Sequence, residues 1–382
     1  MRERLFALLF LFTSLTLGST LAANPPVPTP APPSIGAPSY ILLDFDSGQV
    51  LSARDPDAQR EPASLAKLMT AYVLFNELRE GHLDLEDKVT ISERAWRMGG
   101  SRMFVEVGRT IVVEDLLRGM IIQSGNDASV ALAEHVAGNE ETFAQLMNSY
   151  AQDLGMEDTH FVNATGWPDS EQLTSARDIA KLARAMIRDF PEYYQYYSER
   201  EFTFNEITQR NRNSLLWQDE SVDGLKTGHT SGAGYNLVSS ARRDGMRLIS
   251  VVMGTDGARD RMQQTQSLFS YGFRFFGTYE LFSGGDALEE PKLWKGATDT
   301  IPVGLTESLY VTVPRREYEN MEATMNLRST IVAPVSQGET LGNVEVRIGD
   351  AVVADAPLVA LESGDEGGLF ARIIDDVMLR FQ

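Results

Sequence analysis

The sequence predicts an α+β protein in which an antiparallel sheet packs with helices, followed by a small all-β domain and a C-terminal amphipathic helix. Three observations predict it. Period-two runs stand at both ends of residues 39–281, while the stretch between them repeats apolar side chains every three or four positions. From about Phe282 the texture changes to short alternating runs rich in Gly, Pro, Thr and Val. Residues 363–382 then place apolar side chains on one helical face.

In chain order, residues 1–23, MRERLFALLFLFTSLTLGSTLAA, set Arg2 and Arg4 before an apolar run from Leu5 to Phe12 and end in small residues. That pattern reads as a secretory signal peptide cleaved at Ala22 or Ala23, with a transmembrane anchor as the rival reading. In both cases the rest of the chain is expected to be exported. Residues 24–38, NPPVPTPAPPSIGAP, hold too much proline for helix or sheet and read as an extended, exposed linker. Folded structure is expected from Ser39, where "YILLDFDSGQVLSARD" alternates around Asp46, Ser47 and Gly48 as a β-hairpin. Between residues 64 and 190, "VEDLLRGMIIQ", "DASVALAEHVAG", "TFAQLMNSYAQDLG" and "SARDIAKLARAMIRDF" read as helices, the last capped by Thr174 or Ser175. Strands return from Phe202, and "YNLVSSARRDGMRLISVVMG" reads as two strands around Asp244 and Gly245, with a helix from about Asp260 to Phe275 behind them. Residues 282–362 form the β-rich domain, and after a Gly-rich hinge Leu369, Phe370, Ile373, Ile374, Val377, Met378 and Phe381 share one face of the terminal helix.

Composition removes several function classes. With 43% apolar and 23% charged residues the chain is neither disordered nor a multi-span membrane protein. It has no cysteine, hence no disulfide, thiolate zinc site or cysteine nucleophile. The formal net charge is −20, and removing Arg2, Glu3 and Arg4 with the signal takes away +1 to leave −21. Such a chain is repelled by nucleic acid and by anionic headgroups. No His-x-x-x-His pair or Gly-x-Ser-x-Gly elbow occurs, and no metal or cofactor is called for.

The chemistry gathers around "EPASLAKLMTAYV", where Ser64 and Lys67 stand three positions apart on one helical face also lined by Leu68 and Ala71. Alone, Ser64 reads equally as a helix cap and Lys67 as a solvated charge. With only six lysines in the chain, the pairing is less casual than in an average sequence. A serine nucleophile needs a base. His82, His135 and His160 sit in helix-end or turn contexts, and only His229 lies in a Gly-rich segment beside other candidates, so Lys67 is preferred as the base, with His229 as the alternative. To accept a proton near neutral pH, Lys67 must lose its charge, which burial and a second cation promote. Lys226 in "VDGLKTGHTSGAGYNLV" is the candidate for that cation, although a strand-end lysine can equally be solvated. The third element is Ser124, Gly125 and Asn126 in "QSGNDASVALAEH", where Ser124 or Asn126 could simply cap the helix from Asp127.

Ser-x-x-Lys, Ser-Gly-Asn and Lys-Thr-Gly in this order resemble the three motifs of penicillin-recognising serine enzymes. "PASLAKLMTAYV", "RGMIIQSGNDASVALAEHVAG", "THFVNATG", "FTFNEITQRNRNSLLW", "VDGLKTGHTSGAGYNLVSSA" and "YGFRFF" resemble segments of the low-molecular-mass D-alanyl-D-alanine carboxypeptidases, strongly over residues 39 to 280 and more loosely beyond. The resemblance implies that Ser64 is acylated by the penultimate D-alanine of a peptidoglycan stem peptide, or by a β-lactam antibiotic, with Lys67 taking its proton. It implies that Ser124 relays a proton to the leaving amine, Asn126 holds the peptide amide and Lys226 polarises the network. It further implies that Thr227 binds the terminal carboxylate with Arg261, and that the backbone N–H groups of Ser64 and His229, beside Gly228, form the oxyanion hole. Arg212 in "QRNRN" is a further candidate for the cleft, and Arg261 has a structural ion pair as its plain alternative. The resemblance also places the terminal helix in the outer face of the cytoplasmic membrane, in the periplasm, against the alternative that its apolar face packs on the β-rich domain.

Departures from the family pattern are the shorter segment in "AWRMGGSRMF", which bears on deacylation, and Ser129, where some members carry cysteine. Three other readings share these motifs: a β-lactamase, a D,D-endopeptidase, and a non-catalytic penicilloyl-binding sensor or scaffold. The first usually shows Ser-Asp-Asn and a loop carboxylate, whereas here Asn126 follows glycine and "WPDSEQLTSARD" offers only Glu171 in an unmatched context.

Overall fold

The computed structural model describes residues 29–379; the signal-peptide reading of residues 1–23, together with Arg380 and Phe381, lies outside them. Five strands form the main sheet in the order Val50–Arg54, Ser39–Asp44, Met246–Thr255, Gly234–Arg243 and Val222–Thr230, each antiparallel to its neighbours. The two hairpins read from the sequence therefore join edge to edge. This leaves Val222–Thr230, the Lys-Thr-Gly strand, with one free edge.

Helix Ala258–Phe275 covers one face of the sheet, its Leu268, Phe269 and Phe273 packing on Leu42, Leu237, Leu248 and Val252. It starts two residues before the expected Asp260. The other face carries the larger core, built on helix Ala66–Arg79, which is buried on every side as far as Asn76 and so behaves as a core helix. Helices Val113–Ile122, Asn126–Ala137, Glu140–Asp153 and Ala176–Asp189 surround it. Ser175 caps the last of these, its Oγ accepting the N–H of Asp178 at 3.2 Å.

The expectation of a fully exposed linker fails at its end. Ile35 and Ala37 are buried against helix Ala258–Phe275, and Gln264 Oε1 accepts the Ala37 N–H at 2.8 Å, so the proline-rich segment is tied down before the first strand. Strand pairing of the second domain opens ahead of the change of texture at Phe282: Phe276–Phe282 follows the helix directly and pairs with Leu309–Pro314. Its five-stranded sheet follows, with a separate core of Leu293, Val303, Leu341, Val344 and Leu358. At the junction, buried Asp44 accepts Ser47 Oγ at 2.9 Å and Thr278 Oγ1 at 2.6 Å, and Ser47 meets Thr312 at 2.6 Å.

The terminal helix spans Leu369–Leu379. Its polar side faces the β-rich domain, where Asp375 accepts the Lys295 backbone N–H at 2.6 Å and pairs with Lys292, while Lys295 pairs with Asp376. Packing of the apolar face on that domain is thereby overturned, because Phe370 is 87% exposed and Leu369, Ile373, Ile374, Val377 and Met378 are all exposed.

Candidate active site

The three motifs converge on one cleft of about 790 Å³ between the free edge of the main sheet and the helical layer. Ser64, Ser124, Asn126, Arg212, Thr227, Gly228, His229 and Arg261 all line it, together with Thr165, Gly166, Trp167 and Tyr235. Lys67 and Lys226 stand directly behind that lining at 1% and 3% exposure.

Ser64 lies in the short turn Ala63–Leu65 ahead of helix Ala66–Arg79, not at a capping position, and Lys67 sits in the first turn of that helix. The cap reading and the solvated-lysine reading both fail. Lys67 Nζ has three oxygen neighbours: Ser64 Oγ at 3.1 Å, Asn126 Oδ1 at 2.7 Å and the Thr165 carbonyl at 2.5 Å. Burial, followed by the charge of Arg212, lowers its pKa to about 7, against the opposing influence of Asp127 and Glu140. Arg212, which the sequence offered only as a further candidate for the cleft, therefore adds a cation to the surroundings of Lys67, and Lys226 interacts with Lys67 as well. Lys226 is buried in its strand, and burial, the charge of Lys67 and then Arg212 and Arg261 push its own pKa well below the usual value.

Asn126 opens its helix behind Gly125, and no side chain caps that end, so the capping alternative for Ser124 and Asn126 also fails. Asn126 Nδ2 donates to the Gly99 carbonyl at 2.8 Å, which leaves its Oδ1 to face Lys67. Ser124 is 1% exposed, holds a left-handed φ of 67° and has a buried Oγ without a hydrogen-bond partner among the described residues. A serine in that backbone region is strained, and such strain concentrates at functional sites.

The edge strand approaches the serine closely because of Gly228: a Cβ there would stand 3.2 Å from the Ser64 nitrogen and 3.0 Å from the Pro62 carbonyl oxygen. Arg261 makes no ion pair among the described residues; its Nη1 donates to the carbonyls of Gly228 at 3.1 Å and Asn236 at 3.2 Å, and burial brings its pKa down to about 10. Arg212 Nε donates to the Gln123 carbonyl at 3.0 Å, which fixes it in the cleft wall. His229 stacks on Tyr235 with ring centroids 3.9 Å apart at the mouth.

Sequence reasoning assigned no role to two supports. Asp127 accepts the N–H groups of Met103, Phe104 and Val105 at 3.0, 2.9 and 3.2 Å, and so holds the segment carrying Gly99, Gly100 and Ser101 against Asn126. Asn163, within "THFVNATG", accepts the N–H groups of Thr165, Gly166 and Trp167 at 3.2, 2.9 and 3.1 Å on its Oδ1. That hub turns the Thr165 carbonyl toward Lys67. Asn-x-x-Gly is the available signal, since Asx turns recur where backbone must reverse tightly. Asn163→Ala is expected to lower turnover about tenfold to a hundredfold through kcat rather than KM, with the change read in steady-state kinetics.

A profile of the D-alanyl-D-alanine carboxypeptidase family matches residues 27–257, and one of the penicillin-binding protein 5 C-terminal domain matches residues 276–366. The chain is 41% identical over 360 residues to the D-alanyl-D-alanine carboxypeptidase DacA of Escherichia coli strain K12, covering 92% of this chain and 89% of that protein. The crystal structure of penicillin binding protein 5 from Haemophilus influenzae superposes with a TM-score of 0.85 at 41% identity, over 88% of this chain and 99% of the other. Penicillin-binding protein D2 of Listeria monocytogenes, in its ampicillin-bound form, superposes with a TM-score of 0.58 at 30% identity over 63% of this chain and 98% of that one.

Proposed function

The chain belongs to the D-alanyl-D-alanine carboxypeptidase family, and we propose that it removes the terminal D-alanine of peptidoglycan stem pentapeptides through an acyl-enzyme on Ser64. It is a serine-type D-Ala-D-Ala carboxypeptidase that binds penicillin covalently at the same serine. The residue roles rest on one observation, the coordination of Lys67. A neutral amine has two N–H bonds and one lone pair. Asn126 Oδ1 and the Thr165 carbonyl can only accept, so they take the two N–H bonds, and the lone pair is left for the one neighbour with a proton to give, Ser64.

In the reaction Ser64 Oγ bonds to the carbonyl carbon of the penultimate D-alanine, and its proton passes to Lys67 Nζ. The carbonyl π pair moves onto oxygen, facing the N–H groups of Ser64 and His229 that Gly228 lets approach one another. Collapse breaks the C–N bond. The departing amine takes a proton through Ser124, whose Oγ has no competing partner among the described residues. Asn126 holds the peptide amide, Lys226 polarises the proton network, and Thr227 with Arg261 and Arg212 receives the substrate carboxylate. Water then attacks the ester with Lys67 as base. Among the described residues lining the cleft there is no carboxylate, and Glu171 is exposed outside it, which supports slow rather than β-lactamase-like deacylation.

The test is release of D-alanine from a pentapeptide ending in D-Ala-D-Ala by purified protein. Ser64→Ala should abolish it. Penicillin labelling without D-alanine release would instead establish the sensor reading, and release only from cross-linked dimers the endopeptidase one.

Export to the periplasm and attachment to the outer face of the cytoplasmic membrane belong to the same proposal. The residue pattern of positions 1–23 supports the first and the uncovered apolar face of Leu369–Leu379 the second. No helix among the described residues is long and apolar enough to cross a membrane. Deleting residues 364–382 should shift the protein from the membrane pellet to the supernatant with turnover unchanged. A truncated form that still pellets removes the anchor.

A further inference from the structure

At the end of the main sheet away from the cleft, the turn after Gly234–Arg243 meets the last turn of helix Ala258–Phe275 and the end of strand Leu309–Pro314. Two adjoining cavities of about 350 and 310 Å³ open there. Arg274 and Arg315 line both, Arg316 adds to the first, and Arg243 with Asp244 adds to the second. Phe275, Pro314 and Pro30 give the first cavity an apolar wall.

The charge gathered here is opposite in sign to that of the chain as a whole, and Asp244 is the one carboxylate-bearing residue among the described residues lining either cavity. Arg243 is matched by Asp219 at 2.6 Å. Arg274, Arg315 and Arg316 have no carboxylate partner among the described residues, although the protein carries 54 acidic against 34 basic residues. Glu317, next in the chain, is turned to its own loop and accepts from Asn320 at 2.8 Å. Arg315 donates through Nε and Nη2 to the Phe273 carbonyl at 3.3 and 3.2 Å, which orients its guanidinium in the wall shared by the two cavities. Like charges held side by side repel, and an anion between them relieves that repulsion while forked guanidinium donors match tetrahedral oxyanions.

We propose that this junction is a binding site for a pair of linked phosphate groups, one in each cavity, with Arg274 and Arg315 bridging them and Arg316 closing the outer side. A single carboxylate would engage one cavity and leave the shared arginines half-used, whereas a diphosphate or two successive phosphodiesters engage both. The strand from Gly234 to Arg243 separates the site from the cleft by about 30 Å at ~3.4 Å per residue, so its occupant does not touch the reacting peptide. The site is therefore independent of the carboxypeptidase reading.

Calorimetric titration of the full chain at low salt with inorganic pyrophosphate and with orthophosphate tests it. Pyrophosphate should bind at least fivefold more tightly than orthophosphate, and R274Q/R316Q should weaken it about tenfold with D-alanine release unchanged. R328Q, at an exposed arginine paired elsewhere with Glu339, should leave it unaltered. Absence of pyrophosphate binding, equal affinity for both anions, or equal weakening in R328Q overturns the proposal. Co-sedimentation of both proteins with phosphatidylcholine vesicles carrying cardiolipin, a lipid with two linked phosphodiesters, then identifies the source: a deficit in R274Q/R316Q assigns the site to lipid headgroups, and equal sedimentation, given pyrophosphate binding, to a soluble phosphate ester.

Discussion

Replacing Lys67 with methionine should lower both penicillin acylation and D-alanine release by about three to four orders of magnitude, the scale of a lost proton acceptor at a serine nucleophile. Methionine fills much the same volume but leaves the buried Asn126 Oδ1 and Thr165 carbonyl without their donor, so the thermal midpoint should fall modestly while the fold is kept. Retention of more than about a tenth of the acylation rate would mean that another group accepts the Ser64 proton. The same residue dictates the pH dependence. Its pKa lies at about 7, so below that value the amine is protonated, its lone pair is gone, and acylation should fall. Arg212→Gln removes the neighbouring charge that favours the neutral amine, so the acidic limb should move to higher pH by up to about one unit. Single-turnover acylation from pH 5 to 9 in the two proteins measures this; a limb that stays in place would show that burial alone sets the value.

Gly166→Ala is expected to be the most damaging single-methyl change near the cleft. Gly166 has a φ of +78°, and a Cβ there would lie 1.7 Å from the Ala63 carbonyl oxygen and 3.0 Å from the Ser64 nitrogen. No rotamer relieves a clash made by Cβ itself, so either the turn holding Thr165 or the turn holding Ser64 must move. Stability should drop by about 3 kcal/mol or more, and acylation should collapse because the Thr165 carbonyl leaves Lys67. Gly138→Ala provides the comparison: its φ is also +78°, but nothing stands within 4 Å of the added methyl. That variant should lose only about 1–2 kcal/mol for its left-handed backbone and keep full turnover. Thermal denaturation and acylation rates on the two variants separate steric intrusion at the site from the general cost of positive φ.

Much of the architecture was legible because it follows from local patterns. Alternation around Asp46–Gly48 and around Asp244–Gly245 marks two hairpins, and three-to-four spacing marks the helices between them. The proline-rich segment misled only where a tertiary contact, the Gln264 side chain on Ala37, ties it down. The terminal helix carried two readings because its apolar stripe shows that a face will be covered, not by what. Its fixed orientation comes from Lys292 and Lys295, far away in sequence.

At the site, the sequence by itself determined which groups are present and how Ser64 and Lys67 are spaced, because that spacing spans one helical turn and is set by local backbone geometry. Only the tertiary structure decided the state of the amine. Its acceptors lie 59 and 98 residues away, on Asn126 and Thr165, and the charges that act on it come from Arg212, Asp127 and Glu140. Desolvation and Coulomb fields depend on distance through space, so a lysine's charge is settled by what folds around it.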